Sequence, residues 1–113
     1  MANQYECILC IVNAGYAETV MDAAKAVGAR GGTVINAHGT AGKDAEFYNI
    51  SIQEEKEMVM ILVPTGIKAD VLHALYRSVG LNTPGQGIAF SIPVDEAVGL
   101  SAAPAPESTE KND

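Results

Sequence analysis

Basic residues are scarce in this chain: 7 Lys and Arg stand against 14 Asp and Glu, leaving a formal charge of −7. No cluster of Lys or Arg could neutralise a run of phosphates, which argues against a nucleic-acid partner. Long hydrophobic runs are missing too. The longest, Met58 to Pro64, is far short of the roughly 20 residues that span a bilayer. The N-terminus lacks a charged segment leading into a signal-peptide core, so a soluble, cytoplasmic protein is expected. Cysteine is limited to Cys7 and Cys10. Their C-x-x-C spacing is that of redox and zinc sites, yet they lie inside Glu6-Cys7-Ile8-Leu9-Cys10-Ile11-Val12, which reads as a buried strand. Residues three apart on a strand point to opposite faces, so a shared metal or a disulfide is awkward and two small core residues are the simpler reading. A second Cys pair is absent and His38 and His73 fall in separate elements, which leaves the zinc set incomplete. Neither G-x-S-x-G nor H-E-x-x-H occurs, and Ser51, Ser78, Ser91 and Cys10 have no nucleophile motif around them; no catalysis is expected. The acid pairs Glu54-Glu55 and Asp95-Glu96 read as solvated loop charges.

What is present suffices for one domain. The 113 residues are 48 % apolar, enough to bury a core, although at this size the surface is large relative to the volume and association would help. A strand over Tyr5 to Asn13 leads through a turn at Gly15 to a helix from Ala17 to Val27. Val20, Met21, Ala24 and Val27 recur there at helical spacing, and Gly28 ends it as a C-cap. Gly31-Gly32 precede a second strand, Thr33 to His38, which runs into Gly39-Thr40-Ala41-Gly42. After the polar stretch Lys43 to Glu55, a third strand covers Met58 to Val63. Thr65 is placed as the N-cap of a second helix beginning near Ile67, with Ile67, Val71, Leu72, Leu75 and Val79 as its apolar face and Gly80 at its end. Thr83-Pro84-Gly85-Gln86-Gly87 leads to a final strand, Ile88 to Pro93.

The two halves are both β-α-β and superpose at a fixed offset, Gly28 on Gly80 and Ile8–Ile11 on Met60–Val63. A doubled unit of this kind predicts an α+β, ferredoxin-like domain over residues 1–100: a four-stranded antiparallel sheet with both helices on one face. Cys7–Val12 and Met58–Val63 carry more apolar surface than two helices can cover, and subunit association is the simplest cover for the other face. Residues 101–113, rich in Ala, Pro and acidic side chains, have no apolar periodicity and are expected to form a disordered tail. Glycine at the junctions, Gly31-Gly32, Gly39, Gly42 and Gly85-Gln86-Gly87, permits either plain turns or close backbone approach to an anion.

Gly32-Thr33-Val34 leading to Gly39, the polar excursion, the apolar third strand, Gly85-Gln86-Gly87 and the ending Phe90-Ser91-Ile92-Pro93-Val94-Asp95-Glu96-Ala97-Val98 resemble the PII nitrogen-regulatory family over about residues 4 to 100. The resemblance implies a homotrimer of ferredoxin-like subunits that binds ADP or ATP in the clefts between them, with or without a divalent cation. It also implies a T-loop after the second strand, here 40–55, that engages a partner such as a membrane transporter. Carried across, Thr33 lies near the adenine, Leu62 offers it backbone contacts, Gly39 and Thr40 form the loop base, and Gly85, Gln86 and Gly87 cradle phosphates.

The chain departs from the family where charge matters. Ile88 stands in place of the lysine after the phosphate loop, and Gly99 and Ser101 replace two arginines. Three lost cations weaken charge-assisted bonds to phosphate, each stronger than a neutral hydrogen bond of ~1 kcal/mol. Arg30, Lys43 and His38 are the substitutes at hand. The excursion Gly42 to Gln53 is shorter than the family's T-loop, Tyr48 lacks a uridylylation context, and Lys43 replaces a glutamine used with 2-oxoglutarate. Modification and 2-oxoglutarate sensing of the usual kind are therefore not expected. Two alternatives stay open: a scaffold trimer of the same fold without nucleotide, and a divalent-metal-responsive relative with Asp44, Glu46, Glu54 and Glu55 as oxygen ligands.

Overall fold

The computed structural model describes residues 4–40 and 55–99. Strand β1 (Tyr5–Asn13) is followed by helix α1 (Ala17–Ala26), strand β2 (Thr33–His38), strand β3 (Glu55–Pro64), a 3₁₀ turn (Thr65–Ile67), helix α2 (Lys68–Val79) and strand β4 (Ile88–Val94). The strands form one sheet in the order β2-β3-β1-β4, and each neighbouring pair is antiparallel. This is the expected ferredoxin-like double βαβ, with both crossover helices on one face.

Period-two alternation decides which side chains the helices cover. Ile8, Cys10 and Val12 of β1 and Val59, Ile61 and Val63 of β3 are buried, as are Val20 and Ala24 of α1 and Val71, Leu75 and Val79 of α2. Fully burying such an aliphatic side chain contributes about 1.5–3 kcal/mol. Cys7 and Cys10 point to opposite faces and both are free thiols. Cys10 lies in the core, and burial pushes its thiol up to about 11; the half-buried Cys7 is raised for the same reason.

Among the described residues the opposite face carries no helix. Register places Leu62, Cys7 and Ile92 in one row, Met60, Leu9 and Phe90 in the next, and Met58, Ile11 and Ile88 in a third. Leu62, Phe90, Ile92 and Ile88 are exposed, between 38 and 49 %. Strand β2 is an edge with only Ala37 even half-buried. Three apolar rows beside an exposed edge strand form a continuous apolar surface that no described residue covers.

Two local expectations are corrected. Strand β3 begins at Glu55 rather than Met58, because Glu55, Lys56 and Glu57 pair in register with His38, Ala37 and Asn36 of β2 and the Lys56 and Glu57 side chains find partners. The Glu57 carboxylate accepts from the amides of Gly15 at 3.0 Å and Ala17 at 3.1 Å, capping α1 from a neighbouring strand in place of any cap at Tyr16. Thr65 is not the N-cap of α2: a 3₁₀ turn intervenes, Ile67 occupies the cap position, and no side chain caps it. Gly28 follows α1 with φ +115, the left-handed C-terminal geometry. Gly80 ends α2 in an extended conformation, and a Cβ there would run into the Tyr76 carbonyl. The 41–54 segment, with Lys43, Asp44, Glu46, Tyr48 and Glu54, lies outside the described residues, as do Ser101 and the 101–113 tail.

Candidate functional site

After α1 the chain turns at Gly28, buries Ala29 and runs extended through Arg30, Gly31 and Gly32 into β2. Only glycine fits at 32: a Cβ would meet the Met60 carbonyl at 2.8 Å, Met21 Sδ at 3.0 Å and Ile61 Cγ1 at 3.1 Å. That close approach lays the backbone against β3, where Thr33 pairs in register with Met60. The result is an open cleft of about 550 Å³ lined by residues including Arg30, Gly31, Thr33, Met60 and Leu62, with Tyr5, Pro64 and Gly99 also on its walls. Met60 and Leu62 offer apolar contact to a flat ring, and Thr33 and the outer edge of β2 offer hydrogen-bonding groups. Arg30, exposed, is the cleft's one charged wall residue among the described residues.

The other sequence-predicted residues fall elsewhere. His38 is exposed at the far end of β2, in register with Glu55, and Gly39 and Thr40 follow it. Five residues of strand separate His38 from Thr33, about 17 Å. Gly85, Gln86 and Gly87 lie beyond the end of β1, held by the Asn13 amide donating to the Gly85 carbonyl at 2.9 Å. One protomer therefore brings Arg30, Thr33 and Leu62 together but leaves His38–Thr40 and Gly85–Gly87 at the opposite end of the sheet, apart from that cleft.

The glycine loop is tightly built. The Gln86 amide donates to Thr83 at 3.0 Å and the Gly87 amide to Val79 at 2.6 Å, so neither points free for an anion. A Cβ at Gly87 would meet the Val79 carbonyl at 2.6 Å and Val12 Cγ1 at 2.7 Å. Between the two glycines, Gln86 is held at φ +48, which disfavours any residue with a Cβ. What holds it is Asn13, only 6 % exposed. Its side-chain nitrogen donates to the Pro84 carbonyl at 3.0 Å and reaches Gln86 Oε1 at 3.4 Å, while its oxygen accepts from Lys56 Nζ at 2.7 Å.

Sequence reasoning missed Asn13 and Lys56. Asn13 is a lone polar residue at the end of an apolar strand and Lys56 is one of a run of charged residues, and only the pairing of β1 with β3, which sets them opposite each other, gives them meaning. A second, mostly apolar hollow of about 440 Å³ lies between α2 and β4, lined by residues including Leu72, Tyr76, Leu81 and Ala89, with Cys10 at its floor. Among the described residues no three His, Cys, Asp or Glu side chains converge as a metal site, and no helix is long and apolar enough to cross a membrane.

Solved structures share this architecture. Arabidopsis thaliana PII bound to citrate superposes with a TM-score of 0.67 at 20 % identity, covering 88 % of this chain and 82 % of that one. The B. subtilis GlnK–ATP complex superposes with a TM-score of 0.63 at 18 % identity, covering 82 % and 85 %. No curated protein sequence matches significantly. At these identities the superpositions establish the fold, and the sequence establishes the rest: the family model for nitrogen regulatory protein P-II matches residues 6–103, so the chain is a member of the P-II family.

Proposed function

We propose that this P-II family member is a non-catalytic sensor of adenine nucleotides, ADP or ATP with or without a divalent cation. It acts as a homotrimer in the cytoplasm. The observation that carries this reading is the cleft at Arg30, Gly31, Thr33 and Leu62, which opens beside the uncovered apolar sheet face. A neighbouring subunit packed on that face would cover the apolar rows. It would also bring a second protomer's Gly85–Gly87 or His38–Thr40 within reach of the cleft, which one protomer alone cannot do. The likeness to a GlnK–ATP complex supports the same ligand class. Nucleotide occupancy then selects among conformations of the 40–55 loop, and the switching energy is the difference in nucleotide affinity between them. By family resemblance the loop's partner is a membrane transporter.

A second reading, a scaffold trimer without nucleotide, is favoured by the glycine loop, whose Gln86 and Gly87 amides are already bonded within the chain. Calorimetric titration of the purified protein with ATP, ADP and AMP, with and without magnesium, and with light scattering for mass, separates the two. Micromolar binding by a trimer supports the sensor. A well-folded trimer that binds none of the three is the scaffold.

A further inference from the structure

We propose that Lys56 is the phosphate-binding cation of this chain, replacing the lysine that the glycine loop lacks at Ile88. This deepens the nucleotide reading above and rests on it. Lys56 sits on β3 between two segments, with Ala37 beside it on β2 and Asn13 beside it on β1. It is therefore flanked by the start of His38–Thr40 on one side and, through Asn13, by Pro84–Gln86 on the other. A 2.7 Å bond to Asn13 Oδ1 fixes the half-buried ammonium. That bond uses one of its three protons, and the other two are available to an anion.

Among the described residues nothing nearby neutralises it. Among the described residues Lys56 has no carboxylate partner; the ion pair at the sheet's other end joins Lys68 to Glu6. Its sequence neighbours Glu55 and Glu57 lie on the opposite sheet face by strand alternation, and the Glu57 carboxylate is engaged by Gly15 and Ala17 at the entrance of α1. The glycine loop cannot take the role alone, because its Gln86 and Gly87 amides are bonded to Thr83 and Val79. Arg30 belongs to the cleft at the other end of β2, before the strand begins at Thr33, whereas Lys56 stands opposite Ala37 near the strand's far end. The fourth row of the sheet face, Ala37, Lys56 and Asn13, with Gln86 bonded to Asn13, is thus a polar lip beside the apolar rows, and among the described residues its one charge is positive.

The test titrates wild type, Lys56→Gln and Lys56→Arg with tripolyphosphate, ATP and adenosine. Losing a charge-assisted bond predicts that Lys56→Gln weakens tripolyphosphate and ATP about ten- to a hundredfold while changing adenosine less than about twofold, with Lys56→Arg retaining most of the affinity. In parallel, lysine acetylation of the wild-type protein is read by mass spectrometry, and tripolyphosphate should protect Lys56; this arm needs no variant to fold. Equal ATP affinity in wild type and Lys56→Gln, or no protection of Lys56, overturns the proposal. Wild type that binds tripolyphosphate through Lys56 but neither ATP nor adenosine supports this proposal and removes the nucleotide reading. Wild type that binds no probe overturns both.

Discussion

The side-chain nitrogen of Asn13 donates to the carbonyl of Pro84 at 3.0 Å, joining positions 71 residues apart in the chain. Through the same side chain, the Lys56 ammonium is tied to the loop that holds Gln86 in its left-handed conformation. Asn13→Ala removes the donor and the acceptor at once. A loss of about 1–3 kcal/mol of stability is expected for a polar side chain this buried, read as a lower urea midpoint at unchanged slope. A midpoint equal to wild type would show that the loop is held by its backbone bonds alone.

Gly32 and Gly87 are glycines because the fold requires contact there. At Gly87 a Cβ meets the Val79 carbonyl at 2.6 Å and at Gly32 it meets the Met60 carbonyl at 2.8 Å, both rigid backbone. Gly87→Ala and Gly32→Ala should each cost about 1–3 kcal/mol through overpacking. Gly31→Ala, where nothing lies within 4 Å of the added carbon, should be near neutral. Thermal melts of the three variants check the order, and a destabilised Gly31→Ala beside an undisturbed Gly87→Ala would contradict it.

Burial raises the Cys10 thiol from 9.0 to about 11 in the folded protein. Between those values the unfolded chain releases a proton that the folded chain keeps, so stability is fully present below pH 9 and falls as pH rises toward 11. The slope of one such group is about 1.4 kcal/mol per pH unit. Urea unfolding at pH 7 and pH 10 should show a smaller drop in Cys10→Ala than in wild type. Identical drops would mean that other groups carry the alkaline sensitivity.

Leu9 stands in register between Met60 and Phe90 at the centre of the uncovered face. If a second and third subunit cover that face, Phe90→Glu places a charge in the contact and the mass by light scattering should fall to that of a monomer. Phe90 is 42 % exposed in the single chain, so helical and sheet content should survive. A trimer unchanged by the substitution would move the interface elsewhere.

The architecture was legible because alternation and helical periodicity are local: Ile8, Cys10 and Val12 alternate with Cys7, Leu9 and Ile11 in the sequence as they do in space. The start of β3 was not, because Glu55, Lys56 and Glu57 look like loop residues until β1 and β2 pair on either side of them. Thr65 matched a capping residue in type, yet the 3₁₀ turn shifts the helix start beyond its reach. At the candidate site, Thr33 and Leu62 share one cleft wall in the structure, a proximity set by the register of β2 on β3. The bond from Lys56 to Asn13 spans two strand ends 43 residues apart, and no local pattern encodes it.

The most direct measurement is a crystal structure of the protein grown with ADP. Sensing at the inter-subunit cleft predicts a trimer with the adenine against Thr33, Met60 and Leu62 and the phosphates directed toward Lys56 of one subunit or its neighbour. A trimer with that cleft empty, or with ADP seated in the apolar hollow beside Tyr76, would contradict it.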